Sequence, residues 1–252
     1  GVSSLFISIV IKGKKVKMNL NEYQLDNDGN FDSGFIDNSM HSSNGINVYF
    51  RDLEKHLIGH INNADLVIGA VAWLTSDAIL DALACVKNVQ IVVQKEDFLR
   101  PDVYSRTNWK SKLRSKYDAL KCDLTRYEFG NILSSASVAS DPTIDAVRCV
   151  GNHNRDKVPA FPRMHNKFLI FANVQEIQNS FGHTHYKVTP YGVWTGSFNL
   201  TKNASMSLEN ALYITEPDIV DAYFKEYGQI AAMSEKLDWT TDWAAPQWRI
   251  GT

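Results

Sequence analysis

Residues 64–93, ADLVIGAVAWLTSDAILDALACVKNVQIVV, decide the fold class. Ala64 to Trp73 is a short, nearly continuous apolar run, the pattern of a strand covered on both faces. Thr75-Ser76-Asp77 offers side-chain oxygens to the unpaired N–H groups of a helix running to about Val86. Val89 to Val93 is then a second buried strand. Upstream, Val48 to Asn62 carries Leu53, Leu57, Ile58 and Ile61 at helical spacing. Helix, strand, helix, strand in so short a stretch predicts an α/β fold, with a mixed, largely parallel central sheet flanked by helices on both faces.

Further along the chain, residues 103–121 read as a helix and Asp123 to Phe129 as a strand. Ala146 to Val150, Lys167 to Ala172, Gly192 to Thr195 and Ala211 to Thr215 read as further strands. Glu216-Pro217-Asp218 opens a long amphipathic helix with Ile219, Tyr223, Tyr227 and Ile230. Toward the N-terminus, residues 19–45 are rich in Asn, Asp, Ser and Gly and read as a linker. The apolar run Leu5 to Ile11 has no basic residues before it and no small-residue cleavage site after it, so it reads as a strand rather than a signal peptide. The expected division is an N-terminal strand and linker over 1–45 and a catalytic domain over 46–252. The aromatic tail from Trp239 to Trp248 is expected to cover part of that domain.

Composition narrows the functional classes. The 252 residues include 26 basic and 28 acidic ones, a formal net charge of −2, so nucleic acid would have to be held by a local patch. No run approaches the roughly eighteen apolar residues of a membrane-spanning helix, and no membrane partner is expected. Cys85, Cys122 and Cys149 stand singly, which fits a reducing, cytoplasmic compartment better than a disulfide framework or a zinc ribbon.

Three short segments carry chemistry. His165-Asn166-Lys167 begins one apolar strand, Gly196-Ser197-Phe198-Asn199 ends another, and Glu209-Asn210 leads into a third. Alternate residues of a strand share a face, so His165 and Lys167 project together. A neutral imidazole attacks phosphorus and forms a covalent intermediate. A lysine, a hydroxyl and an amide supply charge and hydrogen bonds to the phosphate oxygens. The glycine lets a phosphate approach the backbone. A carboxylate on the far ring nitrogen would fix the imidazole tautomer. The site needs no metal and no cofactor, since no cluster of acids suited to two divalent ions accompanies it.

MHNKFLIF followed by WTGSFNLTKNASMSLENALYI resembles the phospholipase D superfamily motif (HxK, four residues, Asp, then GSxN), and above all its small single-motif endonucleases. The likeness spans roughly residues 46–235. It implies that His165 is the nucleophile or its acid partner, that Lys167, Ser197 and Asn199 bind the scissile phosphate, and that Glu209 orients His165. The motif's aspartate falls at position 172, which is Ala172 here. The long insert between Lys167 and Gly196 reads as a hairpin extension able to rim the cleft.

That chemistry uses two histidines, and no internal repeat supplies a second motif. Single-motif members of the superfamily pair their motifs across a two-fold axis, so the resemblance implies a homodimer through the motif face with one composite site. The substrate expectation is nucleic acid, DNA or RNA. Residues 106–121 offer Lys110, Arg114 and four other basic residues with Trp109 and Tyr117 between them, a surface for a phosphate backbone and stacked bases. Arg163 is a further phosphate-binding candidate. His183, His185 and His153 read as surface loop residues rather than metal ligands. The alternatives are a phospholipid phosphodiesterase and a catalytically weakened nucleic-acid-binding subunit of a defence or restriction complex.

Overall fold

The computed structural model describes residues 9–11, 14–16, 19–25, 36–96, 99, 108–130, 143–152 and 161–237. Ile9–Ile11 (β1) and Lys14–Val16 (β2) pair antiparallel in a small separate sheet. Next come Met40–His41 (β3), Ile46–Tyr49 (β4), the helix Leu53–Ile61 (α1), Leu66–Val71 (β5), the helix Asp77–Ala84 (α2) and Asn88–Gln94 (β6). The helix Trp109–Asp118 (α3), Val147–Val150 (β7), and the long strands Lys167–Gln178 (β8) and Thr184–Gly196 (β9) follow. The short helix Lys202–Ser205 (α4), Ala211–Ile214 (β10), the helix Pro217–Met233 (α5) and Glu235–Lys236 (β11) complete the order.

Among the described residues the main sheet has nine strands in the order β11-β7-β6-β5-β8-β9-β10-β4-β3. It is mixed and has helices on both faces, as expected, but the parallel share is smaller than the sequence suggested. Only β5–β6 and β6–β7 run parallel. The reason is connection length: a parallel neighbour needs a crossover, and α2 and α3 lie in those two connections. The β8–β9 pair is instead a simple hairpin, and the sheet from β5 to β3 is antiparallel.

Alternation along the central strands sorts side chains into two apolar layers. Val67, Val71, Leu169 and Phe171 pack with Leu57, Ile61, Ile79, Leu83 and Leu113 of α1, α2 and α3. Ile68, Ala70, Phe168 and Ile170 pack with Val220, Phe224, Tyr227 and Ile230 of α5. Every residue of β5 is buried, so its apolar run is what a strand covered on both faces requires. Ser76 caps α2 by accepting from the Ile79 N–H, and Glu216 caps α5 by accepting from the Ile219 N–H.

Gly69 stands where β5 and β8 come closest. A Cβ there would lie 2.2 Å from the Phe168 carbonyl oxygen and 3.0 Å from Leu169 Cα, both backbone atoms. Gly69→Ala is expected to cost about 3 kcal/mol of stability. Urea unfolding checks it as a lower midpoint with an unchanged slope.

Three local readings are corrected. The helix expected from Val48 starts at Leu53, because Ile46–Tyr49 pairs with Ala211–Ile214 instead. Asp123 to Phe129 is not a strand: Glu128 accepts from the Thr125 N–H and hydroxyl and closes a 3₁₀ turn over Arg126–Glu128. The β8–β9 hairpin does not rim the cleft, because its turn at residues 179–183 lies at the opposite end of both strands from Lys167 and Gly196. Met40–His41 pairs with β4, so the sheet edge takes in residues on both sides of position 46. The described part of the predicted N-terminal strand is Ile9–Ile11. Residues 103–107 of the predicted third helix, His153 and the Trp239–Trp248 tail lie outside the described residues.

Candidate functional site

The chemistry-bearing segments meet where β5 ends, β8 begins, β9 ends and β10 begins. Val71 pairs with Lys167 across β5–β8, Phe168 with Thr195 across β8–β9, and Ala211 with Gly196 across β9–β10. His165 precedes β8 and is exposed, but the backbone on either side of it is pinned. Met164 N–H donates to Gln94 Oε1 at 2.7 Å, and the Asn166 carbonyl accepts from the Ala72 N–H at 2.9 Å. The ring is thus presented to solvent from a fixed frame.

Lys167 Nζ lies 3.2 Å from His165 Nδ1 and donates to the His165 carbonyl at 3.1 Å. Ser197 donates its hydroxyl to Glu209 Oε2, and its Oγ accepts from the Asn210 N–H at 3.1 Å. Gly196 makes that approach possible. Its φ is +156°, and a Cβ would lie 2.2 Å from the Asn210 carbonyl oxygen and 2.8 Å from Ala211 Cα. Asn199 is half-buried, and its side-chain oxygen is buried without a hydrogen-bond partner among the described residues.

Electrostatics favour a neutral imidazole. The protein behind the ring, then the cations Lys167 and Arg163, lower the His165 pKa below its ordinary 6.5, and Glu96 opposes them. Burial lowers the Lys167 pKa, while Glu209 raises it and so lies within electrostatic reach of that ammonium. Glu209 itself is held by Ser197 rather than by His165.

The other named residues fall in different places. Arg163 is ion-paired with Glu96, just beyond the end of β6, so its charge is already balanced. Lys110 and Arg114 are half-buried on α3, with Lys110 Nζ 5.8 Å from the Trp109 ring centre. Tyr117 is buried and donates its hydroxyl to the Leu74 carbonyl at 2.7 Å, so Trp109 alone of that aromatic pair is exposed. Lys116 is engaged by Asp81 and Asp77. Ala172 is fully buried in the α5-side layer, paired with Leu66 and Pro190. His183 and His185 are exposed at the hairpin tip, and His185-Tyr186-Lys187 there forms a second HxK triplet with no GSxN segment beside it. Trp73, the last residue of the apolar run from Ala64, lies between Ala72, tied to Asn166, and Leu74, bridged to Leu200, and so flanks the site. Its signal was a large aromatic directly after a run of small and β-branched residues.

The mixed sheet thus carries at one end the HxK and GSxN segments that resemble the phospholipase D superfamily motif. The chain belongs to the same family as uncharacterized protein L381 of Acanthamoeba polyphaga mimivirus, with 38% identity over 211 residues covering 79% of this chain and 69% of that protein. No protein-family model matches it. Among solved structures it is similar to NucT from Helicobacter pylori (TM-score 0.45, 15% identity, 75% of this chain and 96% of that one). It is also similar to Nuc from Salmonella typhimurium, a phospholipase D family member (TM-score 0.42, 16% identity, 75% and 95%). These last two likenesses concern the fold alone. No helix among the described residues is long and apolar enough to cross a membrane.

Proposed function

We propose that this protein is a metal-independent phosphodiesterase that cuts nucleic acid through a phosphohistidine, with the site completed by a second copy of the chain. The observation that carries the reading is the meeting of His165, Lys167, Ser197, Asn199 and Glu209 at one end of the sheet, with the His165 pKa lowered.

Attack through Nε2 requires the imidazole proton on Nδ1. In the structure Lys167 stands at Nδ1 and Ser197 holds Glu209. A bound phosphate takes the Lys167 ammonium and the Ser197 hydroxyl on its non-bridging oxygens, with Asn199 beside them. Glu209 is then released to accept a hydrogen bond from Nδ1–H, which fixes the tautomer and stabilises the imidazolium as it forms. The P–N bond forms as the P–O bond to the leaving group breaks. That oxygen takes a proton from His165 of the second chain. Water then attacks phosphorus, gives its proton back to that histidine, and the P–N bond breaks.

Nicking of supercoiled plasmid and cutting of oligonucleotides in excess EDTA test this, alongside size-exclusion chromatography. Cleavage that survives EDTA, from a protein eluting as a dimer, is expected. Loss of cleavage with EDTA, absence of cleavage, or turnover of phospholipid vesicles alone would overturn the reading.

A further inference from the structure

Trp73 is 40% exposed although both neighbours in the chain, Ala72 and Leu74, are wholly buried. It follows Ala72, whose N–H donates to the carbonyl of Asn166, so its backbone continues from the end of β5 beside the segment that bears His165. On its other side Leu74 bridges to Leu200, which brings Trp73 next to the Asn199 segment.

The backbone carrying it is fixed. Ala72 N–H donates to the Asn166 carbonyl at 2.9 Å, Thr75 and Ser76 N–H donate to the Leu200 carbonyl at 2.8 and 2.9 Å, and the Leu74 carbonyl accepts from Tyr117. A large rigid ring, open to solvent on a backbone tied to the segments that bear His165 and Asn199, is a stacking surface. Exposing that much aromatic area carries a solvation cost that no packing among the described residues offsets.

We propose that Trp73 stacks the base next to the scissile phosphate, so that the site prefers single-stranded nucleic acid, whose bases are free to leave their neighbours. This rests on the phosphodiesterase reading above and narrows its substrate. A duplex keeps that base between its neighbours, and freeing it costs energy that a single strand does not spend. Tyr117 ties α3 to Leu74, so the helix bearing the exposed Lys112 lies behind the same rim and suits a strand whose backbone carries charge. Stacking accepts any base, because every base has a π-face.

The test compares wild type, Trp73→Ala and Trp73→Phe on three probes, each made in DNA and in RNA: a single-stranded oligonucleotide, its duplex, and the same single strand with an abasic position beside the cut. The expected result is a wild-type preference for the intact single strand over both other probes. Trp73→Ala lowers kcat/KM on that strand roughly ten-fold and leaves the duplex and abasic probes unchanged, and Trp73→Phe restores most of the loss. Equal rates for wild type and Trp73→Ala on all three probes would overturn the stacking role while leaving the nuclease reading intact. So would a wild-type preference for duplex, or a Trp73→Ala protein that elutes as a monomer, which assigns the ring to the dimer contact. Wild type inactive on every probe would overturn the nuclease reading and the stacking role together.

Discussion

His165→Ala is expected to lower cleavage by about 10⁴-fold while leaving unfolding and elution volume unchanged, because the step it removes in the proposed mechanism is bond formation to phosphorus itself. The ring is exposed and takes no part in either apolar layer, and the fixing contacts of its segment are made by Met164 N–H and the Asn166 carbonyl. The phosphate contacts proposed for Lys167, Ser197 and Asn199 are left in place, so the variant should still hold an oligonucleotide in a filter-binding assay. The pH profile carries the sign of the electrostatics. In the proposed mechanism the attacking form is the neutral imidazole, and burial, Lys167 and Arg163 all lower the His165 pKa. The acid limb of kcat/KM is therefore expected on the acid side of an ordinary histidine's 6.5, with activity lost as pH falls through that lowered value. Lys167→Met removes one of the lowering charges and should move the limb back toward higher pH in whatever activity remains. An acid limb at or above the ordinary value would contradict this electrostatic account.

Restoring the superfamily aspartate at position 172 is expected to damage the protein rather than improve it. Ala172 is fully buried, in a layer with Leu66, Ile170 and Val193, between a Leu66 partner on one side and a Pro190 partner that has no N–H to donate on the other. A carboxylate there is desolvated without a counter-charge, and Ala172→Asp should lose on the order of 3–5 kcal/mol. Such a carboxyl has its folded-state pKa raised above its unfolded value of about 3.9. The damage is thus smallest below that unfolded value, where the group is neutral in both states, and grows as pH rises through the folded pKa. Urea midpoints at acidic and neutral pH measure it. A variant as stable as wild type and more active would mean that the aspartate's place in the site had been kept open.

Much of the molecule was legible because its signals are local. The doubly buried β5 and β6, the Ser76 and Glu216 caps and the long amphipathic α5 each follow from residues a few positions apart. His165 and Lys167 project together for the same reason. Asp123 to Phe129 departs from its strand pattern because Glu128 returns its carboxylate to the Thr125 N–H, a side-chain competition that a run of strand-forming residues conceals.

The sequence by itself determined the mixed α/β class, the identity of the chemical groups and the loss of the motif aspartate, since these depend on residue type and short-range periodicity. Only the tertiary structure decided which strands run parallel, that the insert between Lys167 and Gly196 points away from the site, and that Glu209 is held by Ser197 rather than by His165. It alone ties up Arg163 with Glu96, buries Tyr117, and sets Trp73 at the rim of the site. Each of these depends on which distant segments share a register, and register is set by burial across the whole sheet rather than by any residue's near neighbours in the chain.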